Sequence, residues 1–236
     1  MPDADADDTR APDAAWGTSA HREPRWPATL AVLAGLALDG GLPETLIALP
    51  ALKWLLPVLE LALLIPLTIA APYRAHDEPR WQRYGALALI ALINAANVIS
   101  LVLLVRALLQ GTANGHALVG SQLLLGALFI WLTNVLVFAL WYWELDRGGP
   151  DERSHPAHRQ PDFLFPQMVT PQCAPEHWAP GFLDDLYVAG TNATAFSPTD
   201  TMPLTPWAKM LMLMQVLASL LAIALVAARA VNILRA

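Results

Sequence analysis

Long apolar runs alternate with short polar stretches along this chain, and the length of the runs dictates the first structural expectation. Leu52 to Ala71 is apolar apart from Lys53 near its edge and Glu60. Gly85 to Leu109, Ser121 to Trp143 and Ala208 to Leu234 are comparable in length and polarity. At about 1.5 Å per helical residue, each run reaches across a hydrocarbon core of about 30 Å. Backbone amides left unpaired in lipid cost several kcal/mol each, so runs of this length are predicted as helices, and their lack of alternation excludes a β-barrel. The expected fold is an all-α, multi-pass membrane helix bundle. A further apolar segment, Ala28 to Pro43, would be only about 24 Å long as a helix. It ends in Leu38-Asp39-Gly40-Gly41, a poor terminus for the middle of a membrane, so it either spans or dips in and returns.

The polar stretches divide the chain. An acidic, Asp-, Ala- and Pro-rich tail over residues 1–27 is expected to be disordered. Membrane helices fill 28–144, joined at 72–84 by a loop with Arg74, Arg80 and Arg83, and at 110–120 by one with Gly111 and Gly115. A Pro- and His-rich polar loop occupies 145–180. In 181–236, the stretch from Pro180 to Thr194 is too short and too polar to cross, yet apolar on one side at helical spacing, with Asp184 and Asp185 in its first turns where the helix dipole favours anions. It reads as a re-entrant or interfacial helix. Ala195 to Asp200 then passes without regular structure to the last apolar run. Irregular backbone at membrane depth is tolerated only where protein buries it or water wets it, so this layout implies a lined pocket. No internal repeat is visible, which disfavours an inverted-repeat transporter.

Short helix, extended loop and following span is also the plan of a potassium-channel pore, whose signature runs approximately T-V-G-Y-G-D-x-x-P-V-T-x-W-G-R. Asp200, Pro203, Leu204, Thr205, Trp207 and the pair Ala208-Lys209 fall in its register, and Thr191 and Thr194 stand where pore helices carry threonines. Residues 181–234 thus resemble the pore-loop and inner-helix module of potassium channels. The loop is similar as well to that of a family of bacterial multi-pass membrane proteins with no activity to carry over. The resemblance implies a pore loop made of Thr191, Thr194, Phe196, Ser197, Pro198, Thr199 and Asp200, a homotetramer around one axis, and a monovalent cation as the permeant species. The filter itself is altered, because Ala195-Phe196-Ser197-Pro198-Thr199 stands in place of T-V-G-Y-G. Aligning carbonyls on one axis uses the positive φ that glycine adopts cheaply, whereas Pro198 fixes φ near −65° and pushes Ser197 toward extended geometry. A carbonyl-lined potassium filter is therefore excluded. A path lined by side chains stays open beside a hairpin that merely packs its neighbours.

Other intramembrane polar residues carry their own expectations. Glu60 sits mid-span, where an ionised carboxylate costs at least about 2.5 kcal/mol, so it should face a cavity or a partner, with Arg106 as the candidate. An ion or proton relay and a protonated, hydrogen-bonded glutamate are the two readings. Asn94, Asn97 and Ser100 share one helical face, and Thr133 and Asn134 lie in the following run; such groups bridge helices in lipid. Trp141, Tyr142 and Trp143, followed by Glu144 and Arg147, look like an interfacial belt. His155, His158, Cys173 and His177 match no zinc spacing and read as solvated loop residues. The Asn192-Ala193-Thr194 sequon would lie at membrane depth, where glycosylation is not expected.

Composition narrows the function classes. Hydrophobic residues make up 56% and charged residues 14%, against about 25% charged in soluble domains. A net charge of −6 argues against a nucleic-acid partner, which would need clustered Lys and Arg. Cys173 is the single cysteine, so no intrachain disulfide forms. No cofactor motif, catalytic triad or phosphate-cradling loop is present, and no enzyme activity is expected. Lysine is confined to Lys53 and Lys209 while arginine abounds, the composition of a GC-rich bacterial genome, and the acidic leader does not fit a cleaved signal peptide, so a bacterial inner membrane is expected. Arginines make the side carrying loops 72–84 and 145–205 cytoplasmic, whereas potassium-type pores place that loop outside; the two readings conflict. Three functions follow as alternatives: a channel-like protein without the potassium filter, a nonconducting scaffold or accessory subunit, and a proton-coupled transporter using Glu60.

Overall fold

Among the described residues, apolar sequence continuous enough to satisfy every backbone amide internally is laid down as helix. The computed structural model describes residues 23, 25–42, 58, 80–110, 112–113, 116–117, 120–154, 160–175, 178–195 and 200–234. Seven α-helices occur among them: α1 (Trp26–Gly40), α2 (Arg80–Gln110), α3 (Gly120–Leu145), α4 (Pro150–Ser154), α5 (Pro166–Val169), α6 (Phe182–Ala195) and α7 (Pro206–Leu234). Two small antiparallel pairs join them: β1 (Thr112–Ala113) with β2 (His116–Ala117), which closes the α2–α3 connection, and β3 (Phe163–Leu164) with β4 (Met202–Pro203).

Three stretches, Arg83–Leu109, Ser121–Gly148 and Pro206–Ala227, are long and apolar enough to cross a membrane, and α1 is a shorter apolar helix. The protein is therefore helical and membrane-embedded. The run Leu52–Ala71, the fourth expected span, lies outside the described residues except for Val58, which is helical and exposed.

Helix α3 is the centre of the bundle, with α1, α2, α6 and α7 packed around it. Small residues on the facing surfaces permit the close approach: Ala28 and Ala31 on α1, Ala189 and Ala193 on α6, and Ala208, Ser219 and Ala222 on α7 are buried. On α7 the buried positions Ala208, Met212, Gln215, Ser219 and Ala222 recur at alternating spacings of four and three, one stripe of a helix. The opposite stripe, Trp207, Met210, Met214, Leu217 and Leu221, is exposed and apolar, as a lipid-facing surface should be.

The described residues of the 145–180 stretch are not a solvated loop but pack against the bundle. After α3, a single 3-10 turn (Asp146–Gly148) reverses the chain, with Arg147 at φ 54°, Gly148 at φ 92° and Gly149 at φ 101°. Both glycines occupy backbone conformations that a Cβ would strain, and at Gly149 a Cβ would also stand 3.0 Å from the Glu144 carbonyl oxygen. Phe163, Phe165 and Met168 then join the core beside Tyr142, whose ring centroid is 5.0 Å from that of Phe163. Trp143, Glu144 and Arg147 are buried and Trp141 is partly so; the expected interfacial belt instead packs largely inside the protein.

Candidate functional site

The feature that the fold builds with the most polar chemistry is the seating of α6 against α3 and α7. Gly181 opens α6, its N–H donating to Asp184 Oδ2 at 2.9 Å. The next amide, that of Phe182, donates to Glu23 Oε1 at 2.7 Å, so a carboxylate from the far N-terminal part of the chain satisfies an amide that the helix leaves open and sits at its positive end. Glu23 Oε1 also accepts from Trp143 Nε1 at 2.7 Å, and Oε2 accepts from Arg153 Nη2 at 2.8 Å. One glutamate thus ties α3, α4 and α6 together.

Behind it lies a buried ionic cluster. Arg153 Nη1 donates to the Trp143 carbonyl oxygen at 3.0 Å and stands 3.5 Å from Asp146 Oδ2, which is 3.4 Å from Arg147 Nε. Asp146 Oδ1 accepts the Asp162 N–H at 2.9 Å, while Asp162 accepts the Arg147 N–H at 3.0 Å and the Thr205 hydroxyl at 2.7 Å. Thr205 is the N-cap of α7, accepting the Ala208 N–H at 3.3 Å ahead of Pro206 in the first turn. Carboxylate attraction, led by Glu23, outweighs burial at Arg153 and raises its pKa further. Asp185, in the first turn of α6, is 1% exposed, and burial pushes its pKa well above the ordinary carboxylate range.

Deeper in the bundle a second, uncharged network joins the same helices. Tyr142 Oη donates to Gln215 Oε1 at 2.6 Å, and Asn192 Nδ2 donates to the same oxygen at 2.7 Å and to the Met212 carbonyl at 3.1 Å. Gln215 Nε2 donates to the Ala189 carbonyl at 2.8 Å, and Asn134 Nδ2 donates to Ser219 Oγ at 2.8 Å. Tyr142, Asn134, Asn192, Gln215 and Ser219 are all buried.

These contacts define the path of α6. Its first residues sit beside Trp143 at the end of α3, while Asn192 meets α7 six to nine residues past Pro206, about 9–14 Å along that helix. By Met202 the chain is paired with Leu164, and the Leu204 N–H donates to the Asp162 carbonyl at 2.8 Å, back beside the end of α3.

Of the residues singled out in the sequence, Thr191 and Thr194 lie on one face of α6 with exposed Leu183 and Tyr187. Their hydroxyls donate to their own helix, Thr191 to the Tyr187 carbonyl at 2.7 Å and Thr194 to that of Gly190 at 2.9 Å. Asp200 is exposed where the chain returns. Phe196, Ser197, Pro198 and Thr199 lie outside the described residues, as do Glu60, His155, His158 and His177, while Arg106 is exposed near the end of α2 and Cys173 is a free, exposed thiol. Asn97 and Ser100 are buried and Asn94 half-buried, as expected of one inward face. Sequence reasoning missed Glu23, Arg153, Gln215 and the inward turn of Asp185. A lone amide such as Gln215 inside the last apolar run was the readable signal.

Architecture and site together define a membrane-embedded helical protein with a short helix, α6, clamped at one end by an ionic cluster and along its length by amides. No family model, curated protein or solved structure matches this chain.

Proposed function

We propose that residues 181–234 form the pore-type module of a channel-like protein of the bacterial inner membrane. The observation that carries this reading is the course of α6: its first residues sit beside the end of α3, Asn192 lies against the first third of α7, and by Met202 the chain is paired with Leu164. A helix of 14 residues is about 21 Å long, less than the hydrocarbon thickness, which fits a segment that enters and returns. Its outward face, with Tyr187, Thr191 and Thr194, is left for a shared axis when chains assemble, in keeping with a homotetramer. Monovalent cations would pass beside Thr194, Ser197, Thr199 and Asp200, since acidic rings favour cations. Arg74, Arg80, Arg83, Arg147, Arg153, Arg159 and Lys209 support a cytoplasmic assignment of this side. Recordings from purified protein in planar bilayers should show cation currents that Asp200→Asn diminishes. Silence across ions and voltages overturns the reading.

A nonconducting scaffold or accessory subunit is the second reading, favoured by the Thr191 and Thr194 hydroxyls being engaged by their own helix and therefore content in lipid. It expects a partner protein crosslinked through α6 and silent bilayers. The proton-coupled transporter reading hangs on Glu60, and pH-dependent uptake abolished by Glu60→Gln is its test.

A further inference from the structure

Where α3 ends and α7 begins, the bundle encloses more carboxylates than guanidiniums. Arg153 is committed to Glu23 and the Trp143 carbonyl, and Arg147 stands against Asp146, so two cations answer two acids. Asp185 is left over. It is 1% exposed, and among the described residues neither of its carboxylate oxygens accepts a hydrogen bond. Its neighbour Asp184 turns the other way and caps Gly181. The titratable and charged groups that act on it are Tyr142 from α3, Asp146 and Arg147 from the turn, Arg153 from α4, Asp184 from its own helix and Glu23 from the N-terminal segment. Arg25 is itself placed over the Trp143 ring at 5.8 Å, and Lys209 of α7 is exposed.

We propose that Asp185 is a proton-binding site, holding a proton while α6 is seated and releasing it when α6 loosens from α3 and α4. An ionised carboxylate held there without hydrogen bonds would cost several kcal/mol, and taking up a proton is the cheaper way to be buried. Arg153 opposes this by attraction, but burial is the larger influence and Asp146, Glu23 and Asp184 add to it. The ligand is a proton exchanged with solvent when α6 opens. Seated α6 then binds one proton more than loosened α6. Above the ordinary carboxylate value of 3.8, each pH unit shifts the seating equilibrium tenfold toward the loosened form, until the pH passes the seated value of Asp185. Because α6 is part of the candidate pore module, pH and the shape of that module are coupled. The proton site itself stands whether or not the module conducts.

The test uses the full chain in lipid nanodiscs. Infrared difference spectra are taken from about pH 5 to about pH 9 on the wild type, Asp185→Asn and Asp185→Glu. The wild type should show a protonated carboxyl stretch near neutral pH that disappears on alkalinisation. One carboxyl equivalent of that signal should be missing in Asp185→Asn and displaced in frequency in Asp185→Glu, which keeps the acid if the amide variant does not fold. Subtracting variants removes any contribution from Glu60. The thermal midpoint of the wild type should fall with rising pH across this range, and that of Asp185→Asn should stay flat. A carboxyl signal of equal size in wild type and Asp185→Asn, or of unmoved frequency in Asp185→Glu, overturns the proposal.

Discussion

Gln215 offers the sharpest perturbation, because a single side chain closes the network that seats α6. Gln215→Leu keeps most of the volume and removes three hydrogen bonds, those from Tyr142 at 2.6 Å and Asn192 at 2.7 Å and that to Ala189 at 2.8 Å. Interhelical hydrogen bonds in lipid average about 0.6 kcal/mol, so the lost bonds amount to about 2 kcal/mol. The Ala189 carbonyl keeps its place in the helical ladder and Asn192 keeps the Met212 carbonyl at 3.1 Å, but the Tyr142 O–H loses its acceptor in a dry interior and keeps only the Asn192 Nδ2 donor at 3.4 Å. An orphaned hydroxyl donor costs about 1–3 kcal/mol, which brings the expected destabilisation to about 3–5 kcal/mol. Tyr142→Phe in the same chain removes the orphan, so the double variant should be less destabilised than the two single losses added together. A double-mutant cycle, read by denaturant-induced unfolding in mixed micelles, should give a coupling of about 1 kcal/mol for the Tyr142–Gln215 pair. A coupling indistinguishable from zero refutes the assignment of this network as the clamp on α6.

Other outcomes are expected from the ionic end of the bundle. Arg153→Met leaves Glu23 and Asp146 without their shared guanidinium and should destabilise by about 3–5 kcal/mol in the same unfolding assay. Glu23→Ala frees the Phe182 amide and should raise proteolytic cleavage or hydrogen exchange in the first turn of α6 more than in α2. Gly149→Ala meets both a φ of 101° and a carbonyl oxygen at 3.0 Å, and should lower stability by about 2 kcal/mol or more, whereas Gly35→Ala, with open space at its Cβ position, should be tolerated.

The large-scale plan was legible because it follows from one quantity, the length of uninterrupted apolar sequence. The runs that became α2, α3 and α7 could satisfy their amides in lipid only as helices, and the stretch Pro180–Thr194, observed as a helix over Phe182–Ala195, was readable as one too short to span for the same reason. The burial of Asp185 was not legible. In sequence, Asp184 and Asp185 are equivalent anions at a helix start, and only the rotation of α6 about its axis decides that one caps Gly181 while the other turns into the core. That rotation is set by Glu23, Ala189 and Asn192 meeting α3, α4 and α7, contacts between residues far apart in the chain. Trp143 was misplaced in a headgroup belt for a related reason: an aromatic at a helix end suits an interface or a core equally, and its indole is engaged by Glu23, which sequence position assigned to an unstructured tail.

Glu23 bonds to residues 120, 130 and 159 positions further along the chain. As the protein emerges from the ribosome, this carboxylate must wait through the synthesis of nearly the whole bundle before its last donor, the Phe182 amide at the start of α6, exists. The N-terminal segment is therefore a latch that only the finished molecule can fasten.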